Sequence, residues 1–232
     1  MIVVIGLPAY VESDDEGQAG GPAVDVAVAA HGAGGAVELV GKIGDDAAGD
    51  AVVLALGRAG VGHAALLRDP GRPTPILAAE PEPAEAGGTA EAAEGETAEG
   101  ETAEAEPTAP VRLFPLEPDE RAQLDAGDVA LGLQYLNQAA VVIVAEPLAG
   151  AALAAVVEGA AFAGAALVAV VPAGGDPGGL PAQATVLEAP PADDGSFARL
   201  VGIFAAGLDR GLPPAEAFAG AVEASGWEPV AG

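Results

Sequence analysis

The sequence predicts an α/β fold, a mostly parallel sheet with helices on both faces. Two features carry this expectation. Short β-branched runs alternate with Ala-rich stretches of helical length, the pattern of repeated β-then-α units. The interior must also be built from Ala, Val, Leu and Ile, because hydrophobic residues make up 51% of the 232 residues and aromatics only 3%. Such a composition suits closely packed helices over Val-rich strands buried on both sides.

Ile2-Val3-Val4-Ile5-Gly6 is a β-branched run closed by glycine and predicts a buried first strand. Ala23–Ala33, rich in Ala and Val with no glycine before Gly32, predicts a tightly packed helix. Val37–Val40 then reads as a strand, Asp46–Ala59 as a helix, and Ala64–Leu67 and Pro75–Ala79 as further short strands. From Glu80 to Pro110 the residues become Glu, Ala, Thr, Gly and Pro, with Gly95-Glu-Thr-Ala-Glu99 repeated as Gly100-Glu-Thr-Ala-Glu104. Low hydrophobicity and unrelieved charge leave nothing to offset ordering entropy, so this stretch is expected to be a disordered acidic insertion. It divides one domain into an amino-terminal part, 1–79, and a carboxy-terminal part, 111–232.

Order is expected to resume at Val111–Phe114, followed by a helix over Asp128–Gln138 and a strand over Ala140–Ala145. A helix over Leu148–Ala163 leads to the strand Ala166–Val171, which Pro172 and the Gly/Pro-rich Gly174–Pro181 terminate. Thr185–Glu188 is a further strand. Phe197–Arg210 and Pro214–Ser225 are the closing helices.

The formal charge is −27, with Lys42 the only lysine and seven arginines. A nucleic-acid surface needs clustered cations to displace counterions, so this balance argues against DNA or RNA as a partner. Glu80–Glu106 holds ten glutamates, yet about −17 remains without them. A halophilic setting and drift in a high-GC genome both account for such acidity. There is no cysteine, and His31 and His63 are the only imidazoles, so disulfide, thiolate and zinc chemistry are disfavoured and no metal site is expected. No uninterrupted apolar run reaches about 18 residues, and no basic leader opens the chain. The expectation is a soluble, cytoplasmic protein with no membrane partner.

Gly20-Gly21-Pro22-Ala23-Val24-Asp25-Val26-Ala27 is similar to a Gly-Gly-x-x-x-Asn-x-Ala helix start, and Gly41-Lys42-Ile43-Gly44-Asp45-Asp46-Ala47-Ala48-Gly49 to a Gly-x-x-Gly-x-Asp-x-x-Gly turn. Leu56 followed by Gly60-Val61, and then Pro73-Thr74, complete an ordered set of four elements. Together they resemble the amino-terminal signature of the ribokinase/PfkB carbohydrate kinase family. The resemblance implies a ribokinase-like sheet and a substrate site drawn from Gly20, Gly21, Asp25, Gly44 and Asp46. The residues have reasons of their own. Paired glycines let backbone approach a ligand hydroxyl, and Asp25 can accept hydrogen bonds from a polyol. Asp46 is equally a helix cap.

Asp194-Gly195-Ser196-Phe197 resembles the family's Gly-Ala-Gly-Asp-x-Phe motif, and Pro214–Ala221 its last helix. Anchored on Phe197, Gly195 falls where the family has its catalytic aspartate, so the base is missing unless Asp194 replaces it. Val11 stands where a substrate-binding aspartate is usual, and Asp25 replaces the Asn. Eight residues between Glu12 and Gly21 leave no room for the family's lid strands. Glu188–Asp193 runs directly into the closing helix where a nucleotide-binding segment is expected. Asp193 and Asp194 also bring negative charge to a helix start that phosphate would need.

The resemblance is thus to a truncated and degenerate member. It implies a pseudokinase binding a sugar, polyol or nucleoside. One alternative is a divergent carbohydrate kinase using Asp194 as base with ATP and Mg²⁺. Another is an interaction protein in which a homodimer face or the acidic insertion recruits a partner.

Overall fold

The computed structural model describes residues 1–12, 18–78, 121–191 and 195–227. The acidic insertion expected at 80–110, the return of order expected at Val111–Phe114, and Asp193 and Asp194 lie outside them.

Six strands form one sheet: β1 (Ile2–Ile5), β4 (Val37–Gly44), β5 (Gly62–Asp69), β7 (Val141–Val144), β8 (Ala166–Pro172) and β9 (Thr185–Ala189). Their order is β5-β4-β1-β7-β8-β9, and every pairing is parallel. Taken in chain order this is 3-2-1-4-5-6, the doubly wound arrangement whose direction of growth reverses between the first and fourth strands. Here the reversal falls between β1 and β7.

The central strands are β-branched because both of their faces are buried, and alternate side chains enter two cores. Ile2 and Val4 join Val141, Ile143, Val168 and Val170 on one face. Val3 and Ile5 join Val142, Val144, Leu167 and Ala169 on the other. The first face is covered by α1 (Pro22–Gly32), α2 (Ala47–Arg58), α5 (Ser196–Asp209) and α6 (Pro214–Ser225), the second by α3 (Ala126–Tyr135) and α4 (Gly150–Ala163).

With few aromatics, the helices pack through small residues. A Cβ on Gly202 of α5 would stand 2.5 Å from the Ala30 amide nitrogen and 2.6 Å from the Ala29 Cβ of α1. The obstacle is partly backbone and cannot swing aside. Gly202→Ala is therefore expected to destabilise by about 1–3 kcal/mol through overpacking, to be read as a lower urea midpoint at unchanged slope. Four of the aromatics are paired: Phe204 meets Phe218 edge-on at 5.9 Å, and Phe197 meets Trp227 at 6.3 Å.

The predicted elements recur with small shifts. β4 runs on to Gly44 instead of stopping at Val40. Gly41 lies inside the strand, where a Cβ would meet the Gly6 carbonyl oxygen at 2.7 Å. Strands also form between Ala9 and Gly20, where none was expected. β2 (Ala9–Glu12) pairs antiparallel with β3 (Gln18–Gly20) and parallel with β6 (Ile76–Ala78), giving a second, three-stranded sheet. β6 falls within the strand expected at Pro75–Ala79, whereas β2 and β3, at four and three residues, carry too little periodicity to be read from sequence.

Candidate functional site

Open parallel sheets bind ligands outside the carboxyl ends of their strands, at the point where the strand order reverses. In this chain that point is flanked by Gly6 and Leu7 after β1 and by Glu146 after β7. Backbone bonds hold the end of β1 to both neighbours, Gly6 N–H to the Val40 carbonyl of β4 at 3.1 Å and Ala145 N–H after β7 to the Ile5 carbonyl at 3.0 Å. The Leu7 amide then donates to Glu146 Oε1 across the gap. A Cβ on Gly6 would lie 3.0 Å from the same oxygen, so glycine is what lets the carboxylate sit over β1. Burial pushes the Glu146 carboxyl above its ordinary range, with the Leu7 N–H and the positive charge of Arg121 pulling partly the other way. A desolvated carboxylate in a strand-end crevice is suited to accept from, or when protonated donate to, ligand hydroxyls.

Of the residues expected to bind substrate, Gly20 and Gly21 lie at the entry to α1. Gly20 is covered: a Cβ there would be 2.5 Å from Val11 Cγ2, so the valine that stands where an aspartate is usual packs onto it. Gly21 has φ 98°, ψ 163° and serves as the N-cap of α1 without a side-chain cap, a conformation that favours glycine. Its carbonyl accepts from the Asp25 amide at 3.0 Å. Asp25 is exposed in the first turn of α1, where negative charge suits the helix dipole.

Gly44 and Asp46 belong to a tightly bonded turn between β4 and α2. The Gly44 amide donates to Thr74 Oγ1 at 2.9 Å, and that hydroxyl donates to Asp46 Oδ1 at 2.7 Å. Asp46 Oδ1 also accepts from the Gly49 amide at 2.8 Å, and Oδ2 from the Thr74 amide at 2.8 Å. Burial raises the Asp46 pKa, but the two Thr74 bonds, the Gly49 N–H and the charge of Arg68 outweigh it and hold the carboxyl below its ordinary value. Asp46 is thus the cap of α2, and its bonds explain why a Pro-Thr pair follows at Thr74, which is 2% exposed. A Cβ on Gly44 would come within 2.5 Å of the Thr74 amide nitrogen and 2.8 Å of the Arg72 carbonyl.

The chain comes back to the same edge at the start of α5. Gly195, its N-cap, is left-handed at φ 85°, and a Cβ there would meet nothing within 4 Å among the described residues. Asp194, the candidate base, lies outside the described residues. Both histidines are placed without a ligand cluster: the His31 ring lies over Gly60, and His63 Nδ1 is 3.2 Å from the Val61 carbonyl. Among the described residues no group of three or more His, Cys, Asp or Glu could hold a metal ion, and no helix is long and apolar enough to cross a membrane.

Glu146 is the site residue that sequence reasoning missed. It falls between a predicted strand and a predicted helix and looks like an ordinary loop acid. The available signal was its position: an acid directly after a run of buried aliphatics, followed by Pro147.

The fold defined by this sheet and these helices is ribokinase-like. It matches a protein described as a ribokinase II from E. coli at 12% identity and a TM-score of 0.60, over 95% of this chain and 90% of that one. It also matches a protein described as a phosphofructokinase from Staphylococcus aureus at 13% identity and a TM-score of 0.56, over 97% and 90%. The ATP-bound fructokinase of Xylella fastidiosa aligns at 14% identity and a TM-score of 0.51, over 96% of this chain but only 65% of its own length. A family model, that of the pfkB family carbohydrate kinases, matches residues 9–114. That sequence similarity covers less than half of the chain, while the likeness of fold extends over nearly all of it. No curated protein matches the sequence.

Proposed function

We propose that this chain is a degenerate ribokinase-like protein that binds a sugar, polyol or nucleoside at the strand-reversal edge, with little or no phosphoryl transfer. The observation that carries the binding half is Glu146, a desolvated carboxylate fixed by the Leu7 amide between the carboxyl ends of β1 and β7. Gly21 and Asp25 at the start of α1, and Gly44 at the end of β4, are the neighbouring elements on the same edge. Asp46 supports that edge through its cap.

Three features support the loss of transfer. Val11 packs on Gly20 in place of an acid. Gly195 stands where the resemblance puts the catalytic aspartate. Asp193 and Asp194 add negative charge where phosphoryl transfer needs a developing anion stabilised.

One observation favours a second reading, a divergent kinase with Asp194 as base. Gly195 caps α5 in a left-handed conformation, and a Cβ on it would meet nothing within 4 Å among the described residues; helix starts suit phosphate. ATP would then sit against α5, with Mg²⁺ offsetting the acidic pair.

A thermal-shift screen of D-ribose, D-fructose, ribitol and adenosine separates these readings, because a ligand that binds only the native state must raise its midpoint. At least one compound is expected to do so. If none moves the midpoint, the binding reading is wrong. With the active compound and Mg·ATP, no ADP should form above the protein-free rate. ADP release that disappears in Asp194→Asn would establish the kinase instead.

A further inference from the structure

We propose that Arg121 makes the strand-reversal edge selective for a polyol that carries one acid group, a carboxylate or a phosphate. This rests on the small-ligand reading of that edge and adds the chemical class of the ligand. Arg121 opens the segment 121–125 that leads into α3. Ala122 is fully buried, and Leu124 shares a core with Leu7, the residue whose amide holds Glu146. At the other end, Asp128 in the first turn of α3 is paired with Lys42 at 2.8 Å, two residues before β4 ends. The segment therefore lines the carboxyl ends of the strands on the α3 side of the sheet.

Nε and Nη1 of Arg121 are buried, and its positive charge is felt at Glu146. Taking a guanidinium out of water is costly, and buried charges of this kind concentrate at functional sites. The chain has only eight Lys and Arg against 35 Asp and Glu, so a base set into this edge runs against the character of the whole surface. Lys42 and Arg68, the bases near the carboxyl ends of β4 and β5, are taken up by Asp128 and by Asp45 and Asp50. Arg121 is the base whose charge reaches the crevice acid.

The two side chains divide the ligand between them. A guanidinium presents a planar fork of N–H donors that matches the paired oxygens of a carboxylate or phosphate, whereas a carboxyl suits hydroxyls. Burial works against the ionised form of Glu146, so an acid group entering beside it does not meet a strongly held like charge. Elsewhere the chain, at −27, repels anions. Selection of an acidic ligand therefore has to come from a cation inside the crevice, and Arg121 supplies it.

Calorimetric titration of the full chain with matched compounds tests this: D-ribose against D-ribose 5-phosphate, and ribitol against D-ribonate. At least one acid is expected to bind about tenfold tighter than its neutral partner, or more, the gain from hydrogen bonds to a charged group. A gain for ribonate alone assigns a carboxylate, and a gain for ribose 5-phosphate alone a phosphate. In Arg121→Gln the preference should vanish while the neutral compounds keep their affinity, a split that a merely structural role does not produce. Arg121→Lys, which keeps the charge but loses the planar fork, should restore part of the preference. Far-UV circular dichroism reports whether the variants fold, and the comparison of acid with neutral compound in the wild type needs neither. Heat from the neutral compounds with no gain for either acid, or a preference that survives Arg121→Gln, would overturn this proposal alone. Heat from none of the four, with no shift in the thermal screen, would remove the ligand reading with it.

Discussion

Asp46→Ala is expected to lower the unfolding free energy by about 3 kcal/mol, from the loss of a helix cap and of charge-assisted hydrogen bonds. One carboxylate accepts from the Gly49 amide, the Thr74 amide and the Thr74 hydroxyl, which in turn accepts from Gly44. Its removal leaves a buried threonine and two amides without their acceptor. Asp46→Asn should cost less but not be silent, since whichever way the amide is turned, its NH₂ faces a donor that the second carboxylate oxygen had satisfied. The pH dependence carries a sign. The folded-state pKa is depressed below the ordinary 3.8, so this stabilisation is present above that value and is lost as pH falls through the depressed one. Denaturant melts should therefore show wild type and Asp46→Ala converging in strong acid.

Glu146→Gln should do the opposite and stabilise the protein at neutral pH. Burial raises the Glu146 pKa above its ordinary 4.5. Between that value and the raised one, the folded state binds more protons than the unfolded chain, so stability falls as pH rises through this window. Glutamine keeps an oxygen to accept the Leu7 N–H and removes the charge that is costly to desolvate. The variant's advantage should be present at neutral pH and shrink toward zero as pH drops below the ordinary glutamate value. Equal midpoints for the two proteins at neutral pH would mean that Glu146 is well solvated. A residue whose replacement raises stability is one retained for another reason, as expected at a binding site.

Most of the scaffold was legible in the residues, because its signals are local. Ile2–Ile5 and Val141–Val144 are unbroken β-branched runs, and buried central strands permit little else. Asp46 could be read as a cap from its place before Ala47–Arg58 alone. The site was less legible because it depends on contacts between distant parts of the chain. Glu146 becomes a candidate only when β7 pairs with β1, which brings it to an amide 139 positions away. The reversal of strand order that marks the crevice belongs to the assembled sheet, not to any segment. The expected strand likewise stops short of Gly41, which the fold sets against the Gly6 carbonyl. Tyr135 looks like a core or rim residue by composition, yet it stands in solvent on a helix whose opposite side holds Val129 and Leu133.

The claim that the strand-reversal edge is a small-ligand site rests most directly on Glu146, and calorimetric titration tests it. The compound that gives the largest thermal shift is titrated into wild type and into Glu146→Gln. Loss of a hydrogen bond to a charged group predicts affinity lower by about 10- to 100-fold in the variant, although its fold is the more stable of the two. Equal affinity in the two proteins would contradict the assignment and place the ligand elsewhere on the molecule.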